Sequence, residues 1–333
     1  MMLETPSPRL PAHVVVQGIV PFLDRNTFYN ISLASKEVNH SMQRITIPWP
    51  KIRLKSDKIG VQSMTFSSNS DVLLCRDYNG RIAIWNRKNG KQVVVEGLSP
   101  SVGVLACSPD NRLFVCAGKR HKTPHLRALS DGSLIRILHG HQHSISSAVF
   151  SPCGKWVATS TRARDSSIRL WDVSTGECDK IFLGNRGSVY SVAFSPDGKL
   201  LASGGTDRRI RIWNQSDGSC QEIRGHDLAI VSVAFSPTNG NLLVSASIDR
   251  TVRIWDVAKK LCLHCLELEC EASKAVFSPD GTQLATTGLD DTIKFWNVHD
   301  ASLCSTLSGD TISFAPDGQT VATRGKDGFV QLR

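Results

Sequence analysis

Val189-Tyr190-Ser191-Val192-Ala193-Phe194-Ser195-Pro196-Asp197-Gly198 is the stretch on which the reading of the fold turns. Its first six residues alternate apolar and small or polar side chains, the period of a strand with two unlike faces. Ser-Pro-Asp-Gly then stops the strand, because Pro and Gly fit the dihedrals of a tight turn. Residues 199–203 and 209–213 read as two further strands. The Asp217-Gly218 turn leads to a fourth at 219–223.

The same pattern recurs along most of the chain. Its Phe position falls at Phe66, Cys107, Phe150, Phe194, Phe235, Phe277 and Phe314, with spacings of 41, 43, 44, 41, 42 and 37. A second series keeps the register: Trp85, Trp171, Trp213, Trp255 and Trp296, with Arg127 and Arg333 at the same place in units two and seven. Cys178, Cys220, Cys262 and Cys304 form a third series, each 42 residues from the next. Seven four-stranded units at this period predict an all-β, seven-bladed β-propeller.

Over residues 49–333 these motifs resemble the WD-repeat family. The resemblance implies a binding platform without enzymatic activity, and a buried network in each blade. In that network an Asp accepts hydrogen bonds from a His and the backbone, and the His reaches a Trp indole through a hydroxyl. His226, Ser245, Asp249 and Trp255 match it in unit five, and His141, Thr159, Asp165 and Trp171 in unit three. Unit four has Asn185 in place of the His. Unit six has Thr286, Asp290 and Trp296 without a His, and unit two has His121 and Arg127 at the Asp and Trp positions. Loss of Asp207 in unit four is therefore expected to cost less than loss of Asp249. Ser, His and Asp recurring in several units read as framework and not as a hydrolase triad. Unit seven ends at its third strand, so residues 49–55 are expected to supply its outer strand and close the ring.

The first 45 residues have another period. Val14, Val15, Ile19, Phe22 and Leu23 recur at helical spacing, Asp24 and Asn26 restart a helix through Phe28 and Ile31, and Ser35 precedes a third through Val38 and Met42. Three short helices at 8–45 cannot bury a core of their own. With Leu10-Pro11, Ile19, Pro21-Phe22-Leu23-Asp24 and Leu33-Ala34-Ser35-Lys36 the segment resembles an F-box. That resemblance implies docking on a Skp-type adaptor and a cullin ubiquitin ligase, with Leu10, Pro11, Ile19 and Leu23 as contacts. A helical cap on the propeller is the alternative. At the level of the whole chain the alternatives are a ligase substrate receptor and a scaffold with no ligase link.

Bulk properties narrow the function further. The net charge is +9, of which +4 lies in residues 1–56 (seven Lys/Arg against three Asp/Glu), and no basic run forms a nucleic-acid tract. No apolar run is long enough for a membrane span, and no secretory leader is expected at the start. The ten cysteines are then expected to be reduced, in the cytoplasm or nucleus. No Gly-rich phosphate loop or Gly-x-Ser-x-Gly occurs, so no cofactor is expected. Cys262, His264, Cys265 and Cys270 are the only metal-like cluster. Strand alternation places Cys262 and His264 on one face and Cys265 on the other, which favours plain packing over zinc.

WD-repeat propellers commonly bind partners on the face carrying the turns between second and third strands. The residue before the Asp position gives Tyr78, Arg120, Arg164, Thr206, Ile248, Leu289 and Lys326, and two extra residues bring Arg162 close. Lys326, Tyr78, Arg120 and Arg164 would form a cationic arc beside a neutral one. Solvated surface charge is one reading. A site for an acidic or phosphorylated peptide is the other, because a guanidinium can grip two oxygens at once.

Overall fold

The computed structural model describes residues 61–95, 102–118, 122–162, 165–324 and 330–332, all within the unit Pro50–Arg333. They form seven antiparallel sheets, each a meander of consecutive strands. In blade four the strands are Val189–Phe194, Leu200–Gly205, Ile210–Asn214 and Cys220–Ile223, within two residues of the boundaries expected from sequence. Their register pairs Phe194 with Leu201, Leu201 with Trp213 and Trp213 with Cys220, so the three repeat series lie side by side across the sheet.

The turn that ends the innermost strand is held by its own side chains. Ser195 Oγ donates to Asp197 at 2.6 Å and accepts the Leu200 N–H at 2.9 Å. Gly198 closes the turn at φ +73°, a conformation that costs a glycine little, and its N–H reaches the Ser195 carbonyl at 2.9 Å. Ser108 with Asp110 and Ser278 with Asp280 repeat the device in blades two and six.

Each sheet buries its faces against its neighbours, so the core lies between blades. Ile230, Val233, Phe235 and Trp255 of blade five pack with Ala202, Ile210, Ile212 and Ile223 of blade four. A fully buried side chain of this kind contributes about 1.5–3 kcal/mol. The innermost strands touch in sequence from Val61–Phe66 round to Ala272–Phe277, Thr311–Phe314 meets blade six through Gln283–Gly288, and it returns to Val61–Phe66. That contact closes a seven-bladed β-propeller.

Side chains fasten the seam between blades seven and one. Arg87 donates to Thr320 Oγ1 at 3.0 Å and to Asp317 at 3.3 Å, and the Asp317 N–H donates to Ser70 Oγ at 2.9 Å. Arg324 pairs with Asp310 and donates to the Val61 carbonyl. Blade seven has three described strands, Thr311–Phe314, Val321–Arg324 and Val330–Leu332. The closing strand expected at 49–55 and the F-box-like segment at 8–45, with Leu10, Pro11, Ile19 and Leu23, lie outside the described residues.

Candidate functional site

The blade networks are built where the loop entering each blade meets the turn between its second and third strands. In blade five Trp255 Nε1 donates to Ser245 Oγ at 2.8 Å, Ser245 meets His226 Nε2 at 2.6 Å, and His226 Nδ1 meets Asp249 at 2.7 Å. A neutral imidazole satisfies all three contacts if Nδ1 carries the proton and Ser245 donates to Nε2. Asp249 also accepts the N–H groups of Asp227 at 3.0 Å and Thr251 at 2.9 Å, and the Thr251 hydroxyl at 2.7 Å. Gly225 precedes His226 because a Cβ there would lie 2.7 Å from the Trp255 ring.

Blade three repeats this: Trp171 to Thr159 at 2.7 Å, Thr159 to His141 at 2.6 Å, and His141 to Asp165 at 3.3 Å. Burial pushes the His141 imidazole down to about 4 against the pull of Asp165. His226 is lowered for the same reason. Burial alone would raise Asp249, but hydrogen bonds from Thr251 and His226 overcome it and bring the carboxyl down to about 2. These groups are locked in framework, with neither an exposed base nor a free nucleophile among them.

Blade four departs from the expectation drawn from Asn185. Trp213 still donates to Ser203 at 2.9 Å, and Ser203 reaches Asn185 Oδ1 at 3.4 Å. The space left by the shorter side chain is occupied by Arg211, only 1% exposed, which bonds Asn185 Oδ1 at 3.2 Å and forms an ion pair with Asp207. Glu222 meets the other arm of the guanidinium at 3.1 Å. Asp207 therefore neutralises a buried cation, and its removal is expected to cost as much as that of Asp249. In blade six Trp296 donates to Thr286 at 2.9 Å, and Leu268 stands where His226 stands in blade five. Leu268, Cys270, Thr286, Asp290 and Lys294 close around that place. In blade two Arg127 replaces the indole and donates to the Gly132 carbonyl at 2.7 Å.

On the expected binding face Leu289 is 68% exposed, Tyr78 47%, Thr206 and Arg162 exposed, and Ile248 half-buried. Arg120, Arg164 and Lys326 lie outside the described residues. Two residues that the sequence reading passed over join this face. Arg162 stacks 5.4 Å over the Tyr190 ring, and Arg324 sits 5.8 Å over Tyr78 while donating to its hydroxyl at 3.1 Å. Such stacking desolvates one side of the Arg162 guanidinium and leaves its edges for an anion, whereas Arg324 is already engaged by Asp310, the Val61 carbonyl and the Tyr78 hydroxyl. The signal for Arg324 was its place at the end of the second strand of unit seven. The short spacing of that unit obscured it.

The cysteine cluster is placed differently from the alternation rule. A bulge falls at Leu263, so Cys262 pairs with Trp255, His264 with Ile254 and Cys265 with Arg253. Cys262 and Cys265 consequently share a face and His264 takes the other, because the extra residue shifts the phase by one. Among the described residues no group of three or more His, Cys, Asp or Glu side chains is arranged to hold a metal. All ten cysteines are free thiols.

Residues 132–172, 176–214, 218–256 and 262–297 match the family described as WD domain, G-beta repeat. Four WD repeats thus lie within the seven-bladed propeller. Over 126 residues the chain is 26% identical to the human (Homo sapiens) WD repeat and SOCS box-containing protein 1, covering 37% of this chain and 27% of that protein. It is 26% identical over 106 residues to the Schizosaccharomyces pombe target of rapamycin complex subunit wat1, covering 32% of this chain and 33% of the relative. Human WD repeat-containing protein 36 is 34% identical over 117 residues, covering 35% of this chain and 12% of its own length. The chain thus spans a third or less of each of these relatives.

Proposed function

We propose that the chain is a protein-interaction platform acting as a substrate receptor of a Skp-cullin-F-box-type ubiquitin ligase. Residues 8–45 would serve as the adaptor-binding module and the propeller, residues 49–333, would hold the cargo. The observation that carries the cargo half is the asymmetry of one face. Arg162 stacked over Tyr190 supplies an exposed guanidinium, whereas Thr206, Ile248 and Leu289 supply an uncharged sector. An acidic or phosphorylated peptide with a neutral flank suits this division. Arg120, Arg164 and Lys326 extend the cationic arc, and Leu10, Pro11, Ile19 and Leu23 are the adaptor contacts.

A relative whose name joins WD repeats to a SOCS box offers a parallel. The work would be done where thiols stay reduced, in the cytoplasm or nucleus. A second reading follows from the similarity to a complex subunit: a scaffold within a multiprotein assembly, without a ligase link. Affinity purification of the full chain, beside Ile19→Asp with Leu23→Asp, separates the two. A receptor brings down an adaptor and a cullin that the double variant loses. A scaffold brings down neither.

A further inference from the structure

We infer that the groove between blades five and six is a second docking site, for an extended partner segment carrying a large apolar residue beside an acidic one. The groove has a volume of about 730 Å³, within the size range of sites that enclose a ligand or a few side chains. Leu242, Ile254 and Leu263 supply apolar walls, and His264, Asn297 and His299 supply polar edges. It opens beside the Gly281-Thr282 turn of blade six, on the face opposite the turn that carries Leu289, so it stands independently of the cargo site above.

The strand beside the groove is prepared for pairing. Leu261–Glu267, at seven residues, is the longest described strand and the outermost of its sheet. Edge strands usually carry charges that discourage a further strand. Arg136 does so in blade two, Asp179 and Lys180 in blade three, and Glu222 in blade four, whereas Gln92–Val95 of blade one and Leu303–Ser308 of blade six carry none. Leu261-Cys262-Leu263-His264-Cys265-Leu266 carries no Lys, Arg, Asp or Glu, and Leu261 and Leu263 are 56% and 45% exposed. The bulge at Leu263 turns that side chain into the groove wall.

Charge decides what can lie there. No carboxylate lines the groove, while two imidazoles and an amide do, and Lys260 is exposed in the turn leading into the strand. The nearby acids are engaged locally: Asp256 pairs with Lys259 at 3.5 Å, Asp280 accepts from Ser278 and Thr282, and Asp300 accepts from Ser302. Glu267 lies at the far end of the strand. An added strand sends alternate side chains to one face, so a leucine entering the groove places the residue two further on near the imidazoles.

The test uses the full chain and the synthetic peptide acetyl-Ser-Val-Leu-Val-Glu-Ser-amide, with the imidazole signals of His264 and His299 as reporters in NMR. Both signals should move with this peptide, and the analogue with lysine for glutamate should bind about tenfold more weakly or less. Leu263→Asp, at an exposed position that circular dichroism will show to be folded, should abolish the shifts. Equal binding of the two peptides, unmoved imidazoles, or unchanged binding by Leu263→Asp overturns the inference. Self-association of the parent that Leu263→Asp abolishes would assign the groove to a second copy of the chain, and overturns it too.

Discussion

Replacing Asp249 by Ala removes an acceptor that serves four donors at once: His226 Nδ1–H, the N–H groups of Asp227 and Thr251, and the Thr251 hydroxyl. The Asp249 side chain is 6% exposed and that of His226 is fully buried, so water cannot replace every lost bond. An unsatisfied buried donor costs about 1–3 kcal/mol. The Thr251 hydroxyl can turn to another acceptor and one N–H can reach solvent, which leaves two donors stranded and about 3–4 kcal/mol lost. For a domain of this size that lowers Tm by roughly 10 °C. Asp207→Ala should cost a similar amount, because it strands the buried Arg211 guanidinium with only Glu222 as counter-charge. Differential scanning calorimetry and urea unfolding of both variants provide the assay. An unchanged Tm for Asp249→Ala refutes the network reasoning. A negligible loss at Asp207 beside a large one at Asp249 refutes the role given to Arg211.

Acid should weaken the propeller before it titrates carboxylates. The folded pKa of His141 lies below its ordinary 6.5, so stability is complete above that value and is lost as pH falls toward about 4, by roughly 3 kcal/mol for this side chain. His141→Asn should flatten that part of the profile in urea titrations, and an unaltered slope between those limits would count against it. Arg324→Ala should loosen the seam between blades seven and one, read as faster amide exchange in Val61–Phe66 with blade five unaffected. On the proposed cargo face, Arg162→Glu should slow association with an acidic phosphopeptide and reduce its salt dependence, since exposed charges are screened within about 10 Å at 0.1 M salt. Leu289→Asp should weaken binding while leaving the salt slope as it was. Identical association rates for parent and Arg162→Glu would exclude that side chain from the site.

The fold was legible because its determinants are local and repeated. Phe194, Trp213 and Cys220 recur at fixed intervals, and the register places Leu201 between the first two, which only a repeated meander explains. The networks of blades three and five could be read for the same reason. What the sequence concealed was compensation across strands. Arg211 looks like an ordinary strand residue until Asn185 is seen to be too short to fill the space. The bulge at Leu263 likewise inverts the faces of His264 and Cys265, because alternation counts residues and a bulge adds one. Arg324 and Tyr190 escaped notice because stacking partners lie in different blades, a relation that no spacing rule reports.

The central claim is that one chain joins a ligase-adaptor module to a cargo-binding propeller, and quantitative affinity purification with mass spectrometry tests it most directly. Three full-length forms would be compared: the parent, Ile19→Asp with Leu23→Asp, and Arg162→Glu with Leu289→Asp. The account predicts that the first double variant loses a Skp-type adaptor and cullin yet keeps the other partners, and that the second keeps the ligase components and loses cargo. A parent that captures no adaptor, or a helical variant that retains it fully, contradicts the account.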